Sequence, residues 1–379
     1  MRFLSLISSL LFSFSASAAV IIPKAPDLDA SSYILMDAVS GRIIVQHNAD
    51  KRLPPASLTK MMTSYVALHE VVQGNVSENQ LVPISVKAWK MGGSKMFVRE
   101  GTEVPIIDLL RGIIIQSGND ASVAVGEYFA GSEEAFAGWM NQFAARFGMT
   151  NTNFENATGW PSKNHYSTAH DLAKLSWHIV NDHPAYYSLY AEKYYSYNGI
   201  RQPNRNTLLW RDKTVDGLKT GHTEEAGFCL AASAEREGTR LIAVVMGTRS
   251  EEARARETQK LLAYGFRYFE TRSVYSANES LQTAKVWKGQ ADQVELGLEK
   301  NVVLTLPRGI KGELEVSLKT DNQIEAPISK GQVLGSMTIS LDGETLEERP
   351  LVALNDIEEA GFFGRLLDTI KLFFARLFG

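Results

Sequence analysis

The sequence predicts an α+β domain, in which a sheet packs with helices, followed by a small all-β domain and a C-terminal amphipathic helix. Three observations carry this expectation. Strand-like runs stand at both ends of the first two-thirds of the chain, with helical periodicity between them. From Ala284 to Leu354 the pattern shifts to short alternating strands. From Ile357 to Gly379 large apolar residues recur at spacings of three and four. The expected divisions are 1–19 (leader), 20–283 (first domain), 284–354 (β-rich domain) and 355–379 (amphipathic helix). A chain of 379 residues with 44% hydrophobic and 22% charged residues fits such a globular assembly. Its formal charge of −4 carries no basic footprint for nucleic acid.

The elements can be justified in order. Arg2, the apolar run Phe3–Phe14 and Ala16-Ser17-Ala18 form a signal-peptide pattern with a small-residue cleavage site, so export is expected. The apolar run is too short to span a bilayer comfortably. Tyr33–Asp37 and Gly41–Gln46 flank a turn and read as a hairpin. Pro55-Ala56-Ser57-Leu58-Thr59-Lys60 reads as a helix start, continued by apolar Met61, Met62, Tyr65, Val66 and Leu68. A second helix covers Ile106–Ile115 and breaks at Gln116-Ser117-Gly118-Asn119-Asp120. A third runs from Ala121 to about Ala130. Helices over 133–147 and 168–182 are separated by a polar loop, Asn151–Thr168. Strands then follow over Asp216–His222, Phe228–Ala234 and Arg240–Gly247, and a last helix over Glu251–Phe269. The one cysteine, Cys229, excludes an internal disulfide and sits in an apolar run as a buried small residue.

Chemistry concentrates in three short patterns. Ser57 and Lys60, three apart on a helix, share one face. A neutral lysine amine beside a serine hydroxyl can take its proton, and the helix N-terminus favours a developing oxyanion. Ser117 and Asn119 stand at the break between two helices, where an Asn/Gly turn capping the next helix is the competing reading. Lys219-Thr220-Gly221 lies on an expected edge strand. Each pattern is weak alone. In this order within one exported domain, S-x-x-K, S-x-N and K-T-G are the signature of the penicillin-recognising serine acyl-transferases, the penicillin-binding proteins and serine β-lactamases.

The chemistry assigns each residue a role. Ser57 is the nucleophile and Lys60 its base, with Lys219 lowering the Lys60 pKa by like-charge repulsion. Ser117 relays a proton to the leaving amine, and Asn119 holds a substrate amide. Lys219 and Thr220 bind a substrate carboxylate, and Gly221 allows close approach to the strand. The amides of Ser57 and His222 form an oxyanion hole. A class A β-lactamase would need E-x-x-x-N between the second and third motifs, and a class C enzyme Y-x-N in second place; neither occurs. The seven histidines contain no HExxH, so no metal and no cofactor are expected.

The chain further resembles the low-molecular-mass penicillin-binding proteins, the D-alanyl-D-alanine carboxypeptidases of the penicillin-binding protein 5 group. The likeness is carried by Pro55–Lys60, Leu110-Arg111-Gly112, Gln116–Ala121, Gly199–Gln202, Val215–Thr223 and Gly361–Gly364. It implies removal of the terminal D-alanine from peptidoglycan pentapeptide stems, covalent acylation by β-lactams, and a C-terminal anchor on the periplasmic face of the inner membrane. Arg254 resembles a family arginine near the carboxylate site, against a solvated helix charge beside Arg249 and Arg256. Asp171 resembles a family cleft residue, against a helix-start cap.

The second domain is expected to hold strands at Val302–Leu306, Leu314–Leu318 and Ser336–Leu341, with a hairpin turn at Asp342-Gly343, and no catalytic constellation. In the tail, Phe362, Phe363, Leu366, Leu367, Ile370, Phe373, Phe374, Leu377 and Phe378 oppose Arg365, Asp368, Lys371 and Arg376. That pattern predicts a helix lying on a membrane surface, against one packed on its own domain.

Overall fold

Alternation of side chains across one sheet organises the first part of the molecule. The computed structural model describes residues 22–310 and 314–378, with side chains to residue 374 in the last helix; the expected leader lies outside them. Pro23–Thr271 form one unit and the chain from Arg272 onward belongs to another. This break falls earlier than 283/284. The strand that leaves the last helix of the first unit carries Val274 and Tyr275, which pack into the second unit's core.

The first unit contains, in order, β1 (Ser32–Asp37), β2 (Ile43–His47), α1 (Lys60–Val72), β3 (Leu81–Pro83), α2 (Val86–Lys90), β4 (Glu103–Pro105), α3 (Ile106–Gln116), α4 (Asn119–Ala130), α5 (Glu133–Arg146), α6 (Ala169–Asp182), α7 (Pro184–Tyr187), β5 (Tyr194–Tyr197), β6 (Ile200–Pro203), α8 (Leu208–Arg211), β7 (Val215–Thr223), β8 (Gly227–Arg236), β9 (Thr239–Thr248) and α9 (Glu251–Tyr268). Its sheet has the order β2-β1-β9-β8-β7 and is antiparallel throughout. Tyr33, Leu35, Leu241, Ala243 and Val245 face α9 residues Leu261, Leu262 and Phe266. Ile34, Met36, Ile242, Val244 and Met246 face the other way, into a cluster with Met61, Met62, Leu109 and Ile113. Both faces of β9 are thereby covered, which explains its nearly unbroken apolar run.

Helix α1 runs through the middle of the helical layer. Every residue from Lys60 to Leu68 is buried. Ser57 does not lie on this helix, as the spacing suggests, but on a 3-10 turn, Ala56–Thr59, that leads into it. Three residues per turn still stack Ser57 over Lys60. The two-stranded sheets β3–β4 and β5–β6 were not legible from the sequence. Their strands are only three or four residues long, too short for periodicity to register.

The second unit is β-rich. It holds β10 (Phe269–Tyr275), which enters from the first unit, then β11 (Gln282–Trp287), β12 (Gln293–Gly297), β13 (Val302–Pro307), β14 (Glu315–Thr320), β15 (Ile324–Glu325), β16 (Val333–Leu341) and β17 (Glu344–Ala353). One sheet has the order β14-β16-β17-β12-β11-β15 and a second pairs β10 with β13. The β16–β17 turn has positive φ at both Asp342 (51°) and Gly343 (81°), the backbone that a two-residue hairpin favours. Helix α10 covers Phe362–Phe378 and starts later than Ile357, which is buried and bridges Ile328 instead. Phe362, Phe363, Leu366, Leu367, Ile370, Phe373 and Phe374 are exposed, while the Asp368 carboxylate accepts the Lys288 amide at 2.8 Å. Among the described residues no helix is long and apolar enough to cross a membrane.

The two-faced sheet predicts the cost of hollowing it. Ile34→Ala should destabilise the first unit by about 2–5 kcal/mol, as for other fully buried large-to-small changes. Val39→Ala, on an exposed turn, should stay within about 0.5 kcal/mol. Denaturant midpoints compare them directly.

Candidate active site

The site forms where the Ala56–Thr59 turn meets the edge strand β7. Gly221 makes the approach possible: a Cβ there would lie 3.0 Å from the Pro55 carbonyl oxygen and 3.3 Å from Ala56 Cβ. The turn itself holds unusual backbone, since Ala56 has a φ of 48°. Opposite, Gly159 (φ 80°) lies so close that a Cβ would overlap the Ala56 carbonyl. The backbone amides of Ser57 and His222, expected to bind an oxyanion, belong to these two meeting elements.

Lys60 is fully buried beneath Ser57. Its Nζ lies 3.0 Å from Ser57 Oγ and 2.5 Å from the Thr158 carbonyl oxygen. Burial lowers its pKa to about 7, with the Arg205 guanidinium the second cause and the Asp120 and Glu133 carboxylates opposing. This corrects the expectation that Lys219 does the lowering. Lys219 is buried too, and its own pKa falls well below the usual amine range, first through desolvation and then through Lys60, Arg205 and Arg254. Its Nζ donates to the Thr220 carbonyl at 3.0 Å.

The loop after α3 supplies the third side. Ser117 caps α3 in the left-handed region (φ 62°), and its buried hydroxyl has no hydrogen-bond partner among the described residues. An unpartnered buried hydroxyl on strained backbone is a feature of functional sites rather than of capping turns. Asn119 Nδ2 donates to the Gly92 carbonyl at 2.8 Å, and its amide donates to the Ser94 carbonyl. Asp120, next in the chain, accepts from the backbone amides of Met96, Phe97 and Val98 at 2.8–3.2 Å. It thereby ties the 91–98 segment over the cleft.

Two cavities adjoin Ser57 and share Ser94 and His222. The smaller, about 110 Å³, is lined by Ser117, Thr220, Gly221, Arg205, Glu251 and Arg254. Arg254 is therefore not a solvated helix charge: it is 4% exposed, and Nη1 lies 3.4 Å from the Gly221 carbonyl oxygen. The larger, about 640 Å³, is bounded by Asn119, Gly159, Trp160, Thr223, Glu224 and Glu225 among others. His222 is exposed and stacks on Phe228 with ring centroids 3.9 Å apart.

Asp171 lines neither cavity. It sits in the first turn of α6, capped by Thr168, and binds the Asn151 amide and the Thr152 hydroxyl, each at 2.8 Å. The helix-start reading holds there. Sequence reasoning missed Arg205, Thr158 and His165. His165 accepts the Glu155 amide at Nδ1 (3.0 Å), which leaves Nε2 to donate to Thr59 Oγ1 at 2.7 Å. Burial lowers its pKa to about 4. These residues lie in loops without periodicity; the only sequence signal was the density of asparagines between 151 and 164. Among the described residues no group of three or more His, Cys, Asp or Glu side chains is placed to hold a metal.

The chain matches the family model described as D-alanyl-D-alanine carboxypeptidase over residues 19–250, and that of the penicillin-binding protein 5 C-terminal domain over 269–359. It is 45% identical over 366 residues to the D-alanyl-D-alanine carboxypeptidase DacA of Escherichia coli K12, covering 94% of this chain and 91% of that one. Its structure is similar to penicillin-binding protein 5 of Haemophilus influenzae, with a TM-score of 0.86 and 41% identity over 89% of this chain and 100% of the other. Penicillin-binding protein D2 of Listeria monocytogenes, in its ampicillin-bound form, matches 64% of this chain and 100% of its own, with a TM-score of 0.60 and 29% identity.

The buried neutral imidazole has a pH consequence. The His165 folded pKa (about 4) lies below the ordinary imidazole value of 6.5. Between these values the unfolded chain binds the extra proton, so the contribution is present above pH 6.5 and is lost as pH falls towards 4. The full loss is about 3 kcal/mol. His165→Gln should flatten the stability profile over this window in denaturant titrations at successive pH values.

Proposed function

The chain belongs to the D-alanyl-D-alanine carboxypeptidase family, and from that premise we propose that it removes the terminal D-alanine from peptidoglycan pentapeptide stems through an acyl-enzyme on Ser57, which β-lactams also acylate. The observation that carries the reading is the fully buried Lys60 amine 3.0 Å from the Ser57 hydroxyl. With a pKa near 7 the amine is substantially neutral at physiological pH. In that state two N–H bonds remain to donate, one towards the Thr158 carbonyl, and its lone pair accepts the Ser57 proton.

The proposed reaction follows. Ser57 Oγ attacks the carbonyl carbon of the scissile bond while Lys60 takes the hydroxyl proton. The oxyanion rests against the amides of Ser57 and His222. Ser117 relays a proton to the leaving D-alanine nitrogen, supported by its unpartnered buried hydroxyl. Asn119 holds the substrate amide. The terminal carboxylate lies in the smaller cavity, against Thr220 and Arg254, with Lys219 behind. Water then hydrolyses the ester, with Lys60 again acting as base.

Location belongs to the same proposal. The signal-peptide pattern supports export to the periplasm, and the exposed apolar face of α10 supports attachment to the surface of the inner membrane. The domain roles follow: a catalytic unit, a β-rich unit and a helical anchor.

Two experiments test this. The first incubates the protein with a peptide ending in D-Ala-D-Ala, follows free D-alanine, and labels in parallel with a fluorescent penicillin. Ser57→Ala should abolish both. For the unaltered enzyme kcat/KM should rise with pH through about 7 and level off above it, because only the neutral amine accepts the proton. Penicillin labelling without D-alanine turnover would instead favour a covalent sensor. The second compares sedimentation with anionic lipid vesicles. The full chain should co-sediment and a chain ending at residue 354 should not; equal behaviour would defeat the anchor.

A further inference from the structure

Lys60 shares its interior with a carboxylate that lines neither cavity beside Ser57. Glu133 is 8% exposed and opens α5, where Ser132 supplies the helix cap. Its own carboxylate reaches the loop between α5 and α6. Oε1 accepts the Ala157 amide at 3.2 Å, and Oε2 lies 3.3 Å from Lys87 Nζ on α2. The Ala157 carbonyl in turn accepts Thr63 Oγ1 at 2.7 Å, and Thr63 stands three residues after Lys60 on α1. Ala157, fully buried, is thereby held by α5 at its amide and by α1 at its carbonyl. The next residue is Thr158, whose carbonyl oxygen lies 2.5 Å from Lys60 Nζ.

We infer that Glu133 is a positioning residue for the proposed acyl transfer: it fixes the carbonyl that receives the Lys60 amine, and its charge, shared with Lys87, sets the pH at which that amine serves as base. The inference deepens the carboxypeptidase reading and rests on it. Its geometric half follows from the chain of bonds. The Thr158 carbonyl takes one N–H of the neutral amine and so aims the lone pair at Ser57 Oγ, 3.0 Å away. A loop that could shift would lose that aim, and catalysis depends steeply on such geometry.

The electrostatic half follows from what surrounds the amine. Lys60 is pushed down first by burial and then by Arg205, while Asp120 and Glu133 act in the other direction; the Lys219 amine and the His165 imidazole stand in the same field. The two carboxylates are held differently. Asp120 is fully buried and accepts the backbone amides of Met96, Phe97, Val98 and Ala121. Glu133 accepts the Ala157 amide, and its other oxygen faces a lysine whose side chain is 48% exposed and which also lies 3.3 Å from Glu134. The charge that Lys60 feels from Glu133 is thus set in part at the surface. Neutralising the carboxylate should make the amine easier to deprotonate, and removing Lys87 should make it harder.

The test follows D-alanine release from a peptide ending in D-Ala-D-Ala by the full-length enzyme, from about pH 5 to about pH 9. Glu133→Gln keeps an oxygen for the Ala157 amide and loses the charge. Its kcat/KM profile should move to lower pH by about half a unit, with the plateau within about threefold of the unaltered enzyme. Lys87→Gln should move the profile to higher pH by less, and the shift should fade at high salt. Glu133→Ala loses the bond as well and should lower the plateau about tenfold, a loss that glutamine restores. Opposite shifts are the signature, because a role confined to folding lowers activity without moving the profile. Thermal melts report folding; should Glu133→Gln fail to fold, the direction of the Lys87→Gln shift decides alone. Superimposed profiles, shifts in one direction, or an alanine variant as active as the unaltered enzyme each overturn the inference and leave the carboxypeptidase reading standing. No release by the unaltered enzyme overturns that reading, and the inference with it.

Discussion

The structure depends on burying one amine. Lys60 is fully enclosed, and an ammonium in such a place is costly unless it is neutralised or paired. Among the described residues no carboxylate bonds to it directly, and its hydrogen bonds are to a serine hydroxyl and a backbone carbonyl. Much of the first unit can be read as the apparatus that holds those contacts. Helix α1 is buried along its first nine residues, Lys60 to Leu68, so the lysine cannot swing to solvent. The Thr158 carbonyl is presented by a loop that is itself tied down. Thr63 Oγ1 donates to the Ala157 carbonyl at 2.7 Å, Glu133 accepts the Ala157 amide, and Asn156 Oδ1 accepts the amides of Thr158, Gly159 and Trp160. A segment without regular structure is held in place because its polar groups are satisfied by α1, by α5 and by its own Asn156.

Strain is placed around the same point. Ala56 and Ser117 both hold positive φ, each next to or at a residue of the proposed mechanism. At Ala56 the turn brings Ser57 over Lys60, and Gly159 accepts the crowding that follows. At Ser117 the left-handed cap ends α3 one residue before Gly118 begins the next turn, so α4 can start with Asn119 facing the cleft. A glycine at 117 would relieve the backbone, but it would remove the hydroxyl.

Much of the fold was legible because burial writes a period into the sequence. Leu241–Met246 read as a covered strand, and both neighbouring clusters confirm it. The hairpin turn at Asp342-Gly343 was readable from two residues whose backbone freedom is characteristic. The three chemical motifs were readable because side-chain chemistry constrains residue type at fixed spacing. What was not legible is what acts through backbone or through partners distant in sequence. Towards Lys60, Thr158 presents a carbonyl oxygen, which any residue would supply. Arg205 comes from an irregular segment, and its effect on Lys60 is a matter of distance. His165 looked like a loop histidine, and only the fold brings it to Thr59. The division between the compact units at 271/272 is not marked in the sequence for a related reason: β10 continues directly from α9.

The crowding of cations has a final consequence for the proposed reaction. Arg205 depresses Lys60, Lys219 and Arg254, and Lys219 is depressed by Lys60 and Arg254 as well. In the free site, desolvation and mutual repulsion disfavour the Lys219 ammonium. A substrate carboxylate entering beside Arg254 reverses that balance, since its negative charge favours the ammonium at Lys219. Carboxylate binding and proton uptake at Lys219 are then linked. Lys60 is held low by burial first and by the Arg205 guanidinium second, so its neutral form does not depend on Lys219. In the proposed reaction the two lysines then divide the work: Lys219 answers the carboxylate, and Lys60 takes the serine proton.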